Sequence, residues 1–202
     1  MKKIVCFFLV AGLLICVLPS CSAPSSIRRG SWDGQLYYNS YGEFYLRSND
    51  LFDRYTDQKI KKELGFVYSD NGHVLNDTVL SSDYCAIIIT LEDPGSDYSL
   101  KDYVNAFITN SRATNGNGNY SIAETYQQSI AGQTYTCVPI LYYQSSSSGS
   151  IGYCEYTFIK KSINGVFVLI RITSGTQLNI EIALKMFEDP NAEQVLPSED
   201  EK

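Results

Sequence analysis

Histidine is scarce in this 202-residue sequence, and its scarcity limits the catalytic chemistry that the chain can support. His73 is the single histidine, so a base for a serine or cysteine nucleophile would have to be this residue. No serine lies in the Gly-x-Ser-x-Gly elbow that exposes the nucleophile of one large class of hydrolases. His73 follows the turn sequence Asp70-Asn71-Gly72 and is more simply a surface residue. We therefore predict no catalytic residue from these patterns.

The ligand spacing of metal sites is also missing. Cys85, Cys137 and Cys154 have no second ligand within three or four residues, as zinc sites require. The oxygen-rich stretches 70–72 and 115–119 lack the acid spacing of an EF-hand loop. We expect neither a metal nor another cofactor.

Basic residues are outnumbered, since 16 Lys and Arg stand against 22 Asp and Glu. Removal of residues 1–20, which carry Lys2 and Lys3 and no acid, would leave 14 basic residues against the same 22 acids. Nucleic-acid binders present a basic face, and anionic lipid head groups attract basic segments. We therefore expect no nucleic-acid partner, and no attraction between the protein body and an anionic membrane.

One long apolar run is present, and it covers residues 4–18. It is shorter than the roughly 20 residues that a membrane-spanning helix needs. The cationic start Met1-Lys2-Lys3 precedes the run and small residues follow it, which is the layout of a secretory signal peptide. We predict that residues 1–20 are a signal peptide and that the rest of the chain is exported.

The residues around the predicted cleavage position resemble the bacterial lipobox. Leu18 stands at −3, Ser20 at −1 and Cys21 at +1, while Pro19 replaces the usual small or β-branched residue at −2. The resemblance implies diacylglycerol on the Cys21 thiol and cleavage in front of it; an ordinary signal peptide with an incidental cysteine is the alternative. We predict a lipid anchor on the extracytoplasmic face of the cell membrane, with the small and polar residues 21–31 as a flexible tether.

Turn signals and hydrophobic periodicity predict a single domain over residues 32–189, followed by an acidic disordered tail, 190–202. In chain order, the first half is expected to contain a hairpin (35–38 and 43–47), a helix from Asn49 or Asp50 to Leu64, a possible strand at 73–80, a central strand covered on both faces (84–91), and a helix capped by Ser99.

The second half is expected to be a four-stranded β-meander followed by a helix. The predicted strands are 120–130, 134–143, 151–159 and 166–173, and the helix carries Ile180, Ala183, Leu184 and Phe187 on one side. The fold class is therefore α+β, a largely antiparallel sheet covered by about three helices.

The order of these elements resembles small lipoproteins of Gram-positive bacteria with a PsbP-like α/β/α sandwich. The residues that carry the resemblance are Trp32-Asp33-Gly34-Gln35-Leu36-Tyr37 and Ile130-Ala131-Gly132-Gln133-Thr134-Tyr135. The resemblance implies a scaffold that docks to partners and has no shared catalytic set. Fold analogy alone is a weak basis for function.

Cys137 and Cys154 lie on neighbouring predicted strands. A four-residue loop at 144–147 would place them directly opposite each other, within disulfide distance. A register slip of one residue would separate them, and both would then be small buried hydrophobic residues. Both readings stay open at this level.

Tyrosine is abundant, with 16 residues, and it is concentrated in the meander. Strand alternation puts Tyr135 and Tyr143 on one face of their strand and Tyr142 on the other; Tyr153 and Tyr156 follow on the next strand. One set can pack in the core, while another can form an exposed aromatic patch that binds a ligand.

Three functions are compatible with these patterns. The leading hypothesis is a non-catalytic, membrane-anchored module that binds a protein or a cell-envelope ligand. The first alternative is an extracellular, glycan-directed hydrolase with paired carboxylates, for which Glu124 and Glu155 are the nominated acids. The second alternative is an accessory subunit of a membrane complex.

Overall fold

A large antiparallel sheet with both faces covered organises the fold. The computed structural model describes residues 27–95, 97–115, 119–143 and 151–192, so Cys21 and the predicted signal peptide lie outside the described residues. Within these ranges the strands are, in chain order, β1 (Ser31–Asp33), β2 (Leu36–Asn39), β3 (Phe44–Arg47), β4 (Asp53–Arg54), β5 (Val74–Ser81), β6 (Cys85–Glu92), β7 (Tyr120–Ile122), β8 (Tyr126–Ile130), β9 (Gln133–Tyr143), β10 (Ile151–Lys161), β11 (Phe167–Ser174) and β12 (Phe187–Glu188). The helices are α1 (Asp57–Leu64), α2 (Leu100–Asn115) and α3 (Gln177–Leu184).

The large sheet has the order β4-β5-β6-β11-β10-β9-β7, with β8 also paired to β9, and all its pairs are antiparallel. A small sheet has the order β1-β2-β3-β12. No helix in the described part of the chain is long and apolar enough to cross a membrane.

Alternating side chains divide the core into two layers, one on each face of the large sheet. On the face that we call the small-sheet face, residues such as Ile87 and Ile170 pack against Tyr37 and Phe44 of the small sheet and against Ile180 of α3. The opposite face, which we call the α1/α2 face, is covered by those two helices.

Each helix on the α1/α2 face has its own apolar cluster. Tyr103 and Phe107 of α2 pack on Ile159 and Leu169. Ile60 and Leu64 of α1 form a separate cluster with Val79 and Ile88. Because the two clusters are separate, the part of the sheet between the two helices belongs to neither apolar cluster.

The last three strands of the meander and the central strand agree with the sequence-based predictions. All eight residues of β6 are buried, and β6 lies between β5 and β11. The hairpin of β10 and β11 turns at Asn164-Gly165, where Gly165 has φ +84°, a value that suits glycine. The Ser99 hydroxyl accepts a hydrogen bond from the Asp102 N–H, so Ser99 caps α2 as expected.

The predicted start of the first helix is wrong. The helix does not begin after Asn49 or Asp50; it begins at Asp57, where the Thr56 hydroxyl accepts from the Lys59 N–H. Residues 53–54 pair instead with the end of β5. The tertiary pairing with a sheet edge overrides local helix propensity there.

The predicted single strand over 120–130 is two strands, β7 and β8, that pair with different parts of β9. The interruption lies opposite Pro139, whose carbonyl accepts from the Ala123 N–H. Proline has no N–H with which to donate a hydrogen bond to the neighbouring strand. Between the two paired segments this chain has three residues (123–125), whereas β9 has only two (138–139), so the pairing is interrupted by a bulge.

Two predicted boundaries move at the ends of the domain. The last helix stops at Leu184, and Phe187, which we placed on that helix, is part of β12 and packs on Phe44 with ring centroids 5.1 Å apart. The predicted tether includes residues 27–31, yet Ile27 is buried in the core and Ser31 begins β1. The folded region therefore includes residue 27.

Candidate functional site

Of the two readings left open for Cys137 and Cys154, the structure has the one in which they are separate, small buried residues. Cys137 lies opposite Phe158, and Cys154 lies opposite Leu141, because Tyr143 pairs with Ile151, three residues beyond the partner that a four-residue loop would give it, and the register shifts by one further residue between Ile151 and Tyr153. The two cysteines are four residues apart along the ladder, or about 13 Å, which exceeds the reach of a disulfide. Cys85, Cys137 and Cys154 are all free and buried. Burial raises the pKa of the Cys137 thiol to about 12, so this thiol is a poor nucleophile at neutral pH.

The structure separates the meander tyrosines by face. Tyr135 and Tyr156 are buried in the core of the small-sheet face. Tyr143 is half-buried and its hydroxyl lies 2.8 Å from that of Ser121. Tyr142 and Tyr153 are half-buried, cross-strand neighbours, and their rings stack with centroids 4.2 Å apart. The five tyrosines that the sequence analysis grouped together therefore lie on two different faces of the large sheet.

Tyr120 extends the stacked pair by one strand. It lies opposite Tyr142 on β7, with ring centroids 6.2 Å apart, and its hydroxyl donates to the Arg112 carbonyl at the end of α2. Three tyrosines thus form a row across β7, β9 and β10. Hydrogen bonding couples Tyr153 to Tyr142, while burial and the nearby Glu155 raise the pKa of Tyr153.

Polar residues continue from this row along the α1/α2 face. Glu155 and Thr157 follow Tyr153 at two-residue spacing on β10, so their side chains lie on the same face. Arg171 lies directly opposite Thr157 on β11. We call Tyr142, Tyr153, Glu155, Thr157 and Arg171 the polar strip.

Arg171 is the unusual member of the polar strip. It is the one charged residue of β11, and 22% of its side chain is exposed. Its ion pair is with Glu155, whose Oε1 lies 3.5 Å from the guanidinium Nε. That Nε is buried, and no described protein group accepts a hydrogen bond from it.

Thr157 also has a buried polar atom without a hydrogen-bond partner among the described residues. Its side chain is fully buried, and the atom is its hydroxyl oxygen. Two buried polar atoms without partners therefore belong to one cross-strand pair. A buried polar group without a partner costs about 1–3 kcal/mol, so the pairing of two such groups is an energetic reason to suspect a binding site.

Glu92 lies on the same face, near the N-terminal end of α2. It is 4% exposed and accepts a hydrogen bond from the Tyr103 hydroxyl. Burial raises the pKa of Glu92, although that hydrogen bond and the charge of Arg171 act in the opposite direction. Tyr103 also stacks on Phe167 with centroids 4.0 Å apart, so the Glu92 carboxyl is held inside the packed end of α2.

The two acids nominated for a hydrolase have different surroundings. Glu124 is exposed in the connection between β7 and β8, whereas Glu155 is half-buried beside Arg171. His73 is in a turn, where its N–H donates to the Asn71 side chain. No group of three or more His, Cys, Asp or Glu residues within the described ranges could hold a metal ion.

Sequence reasoning missed Arg171 and Thr157 as site residues. A signal was present, since Arg171 is the one charged residue in the apolar run 166–173. A charge inside a strand buried on both faces needs a partner. Strand pairing was required to show that Thr157 lies opposite Arg171 and that Glu155 is its ionic partner.

Comparison with known proteins bears on the fold. Neither the comparison with protein-family models nor that with curated proteins gave a match. Among solved structures, the chain is similar to cyanobacterial PsbP (CyanoP) from Synechocystis sp. PCC 6803, with a TM-score of 0.51 and 11% identity over 85% of this chain and 98% of that one. LpqN of Mycobacterium tuberculosis, described as involved in cell envelope biogenesis, matches with a TM-score of 0.40 and 10% identity over 70% of this chain and 75% of LpqN. The chain has a PsbP-like α+β fold.

Proposed function

We propose that this protein is a lipid-anchored, extracytoplasmic binding module, and that the polar strip holds its ligand. The anchor rests on the lipobox-like residues before Cys21, and the ligand is a component of the cell envelope. The observation that carries the binding proposal is the pair formed by Arg171 and Thr157, two neighbours whose buried polar atoms have no hydrogen-bond partner among the described residues. Arg171 is the partly exposed member of the pair, so a ligand oxygen would accept from its guanidinium, whereas Thr157 is fully buried beneath it.

The same surroundings favour binding over hydrolysis. A glycosidase needs two carboxyl groups that face each other across roughly 5–10 Å. Glu155 and Glu92 lie opposite Thr173 and Phe167 of β11, six residues apart, which is about 20 Å along that strand. Glu92 is also enclosed by α2, as its hydrogen bond with Tyr103 shows.

The test uses residues 21–202 with Cys21→Ser, so that the protein is not acylated. The protein is immobilised and incubated with isolated cell envelopes, and the retained protein and glycan are measured. Arg171→Gln should reduce the specific retention by about tenfold, because a hydrogen bond to a charged group is worth about 1.5–3 kcal/mol.

Arg47→Gln is the matched control. Arg47 also pairs with a glutamate, Glu188, at 2.6 Å, but it lies on the small sheet and is largely exposed. This variant should retain the envelope component like the wild type. Equal retention by wild type and Arg171→Gln, with both folded by circular dichroism, would refute the polar strip as the binding site.

A further inference from the structure

The charge pattern of the polar strip limits the class of ligand that it accepts. Arg171 and Glu155 form an ion pair at 3.5 Å, and each is about one-fifth exposed. A simple anion would meet the Glu155 carboxylate as it approached Arg171, and a cation would meet Arg171. A neutral group that both donates and accepts hydrogen bonds meets neither repulsion, and a hydroxyl has this property.

Hydroxyl groups in pairs fit the arrangement best. One hydroxyl of a vicinal pair accepts from the Arg171 guanidinium, and its neighbour donates to Glu155. The guanidinium has five N–H donors, and its Nε–H has no acceptor among the described protein groups. Such a ligand would satisfy Arg171 without breaking its ion pair with Glu155.

The tyrosines beside the ion pair provide a different kind of contact. Tyr153 is two residues before Glu155 on the same face of β10, and it stacks on Tyr142 with the rings 12° from parallel. A tyrosine ring offers an apolar face together with a polar hydroxyl. The apolar C–H face of a sugar ring packs on such a surface while the sugar hydroxyls stay available to Arg171 and Glu155.

We propose that the polar strip binds an uncharged saccharide, whose ring packs on the face of Tyr153 that is turned away from Tyr142 and whose hydroxyls bridge Arg171 and Glu155. This inference rests on the proposed function and names the ligand class of the same site. Thr157 is fully buried, so the ligand contacts the strip at Tyr142, Tyr153, Glu155 and Arg171. The excess of acids over bases in the whole chain further disfavours a polyanionic glycan.

The test is isothermal titration of residues 21–202 carrying Cys21→Ser with two neutral trisaccharides, triacetylchitotriose and maltotriose, and with the anionic trigalacturonate. At least one neutral trisaccharide should bind, and trigalacturonate should bind at least about tenfold more weakly. Tyr153→Ala and Arg171→Gln should each weaken the neutral ligand by about tenfold, a loss typical of one charge-assisted hydrogen bond or one aromatic contact.

Two controls separate a lost contact from a lost fold. Tyr45→Ala removes a half-buried tyrosine that pairs with Tyr38 in the small sheet, with centroids 5.1 Å apart, and it should leave saccharide binding unchanged. Arg171→Lys keeps the charge but cannot offer the fork of donors, so it should recover little affinity.

Each other outcome contradicts the saccharide assignment. Tighter binding of trigalacturonate, no binding of either neutral trisaccharide, or binding that is insensitive to Arg171→Gln would each overturn it. If envelope retention nevertheless depends on Arg171, the proposed function stands and the ligand class is wrong. If retention does not depend on Arg171 either, both proposals fall.

Discussion

A single buried carboxylate joins the N-terminal segment to the rest of the domain. Asp77 occupies the position where the pairing of β5 with β6 shifts, between Asn76 and Thr78. Its side chain accepts hydrogen bonds from the Gly30 N–H at 2.9 Å, from the Tyr37 hydroxyl, and from Arg29 at 3.4 Å. The β-bulge thus aims a charged group into the small-sheet face, where it holds the first residues of the fold.

Asp77→Ala should destabilise the protein by about 3 kcal/mol, because it leaves buried donors and part of the Arg29 charge without a partner. Asp57→Ala is the matched control, since Asp57 also binds Arg29, at 2.8 Å, but its side chain is 60% exposed compared with 1% for Asp77. The control should lose less than about 1 kcal/mol. Urea denaturation measures both values, and equal losses would contradict the assignment of Asp77 as the central group.

The raised pKa of Glu92 predicts that the stability of the protein depends on pH. Its pKa is raised in the folded state, mainly by burial, so the folded protein keeps the proton at pH values where the unfolded chain has released it. The free energy of unfolding therefore falls as the pH rises from the ordinary value of 4.5 through the folded pKa.

Glu92→Gln removes this loss, because the amide oxygen can still accept from Tyr103 and has no charge to bury. We expect the variant and the wild type to differ little at about pH 4, and the variant to gain relative stability as the pH increases to about 8. Thermal unfolding over this pH range measures the difference. A relative stability that stayed constant or decreased with pH would show that burial does not dominate at Glu92.

At the scale of elements, the turn between β2 and β3 is fitted closely to the large sheet. The Gly42 carbonyl accepts from the Tyr135 hydroxyl at 3.2 Å, and a Cβ at Gly42 would overlap the Phe44 ring. The Asn39 side chain accepts from the Gly42 N–H at 2.7 Å, which fixes the turn. The contact between Gly42 and Tyr135 is one of the places where the small sheet packs against the large sheet.

Gly42→Ala should cost about 1–3 kcal/mol, because the methyl group has no space between Phe44 and Tyr135. Gly175→Ala is the control: nothing lies within 4 Å of its Cβ position, and its φ is outside the left-handed region. That change should stay within about 0.5 kcal/mol of the wild type. Guanidinium denaturation compares the two, and a Gly42 variant as stable as the control would contradict the tight fit.

Elements were predictable where local signals were strong. The all-buried strand β6 and helix α2 with its Ser99 cap follow from hydrophobic runs and capping residues. Elements that exist through tertiary pairing were missed, as with β4 at the edge of β5 and β12 beside β3. Two-residue strands carry no periodicity, so nothing local could have revealed them.

At the scale of the whole molecule, the membrane anchor remains a prediction from residues 18–21. Cys21→Ala should abolish lipidation, so the protein should be released into the medium or stay unprocessed. Cys16→Ala is the matched control, since Cys16 lies in the apolar run and would be removed with the signal peptide. Cell fractionation with immunoblotting measures retention, and unchanged retention of the Cys21→Ala protein would refute lipidation.

The sequence alone determined the α+β class, the meander and the order of most elements, because periodicity and turn residues are local properties. It also identified the tyrosine-rich meander. Only the tertiary structure decided which residues share a surface. Tyr143 pairs with Ile151 and a bulge follows at the start of β10, so together they place Cys137 opposite Phe158 instead of Cys154. The polar strip depends on the same pairing, which sets Arg171 opposite Thr157 in a position that no local signal specifies.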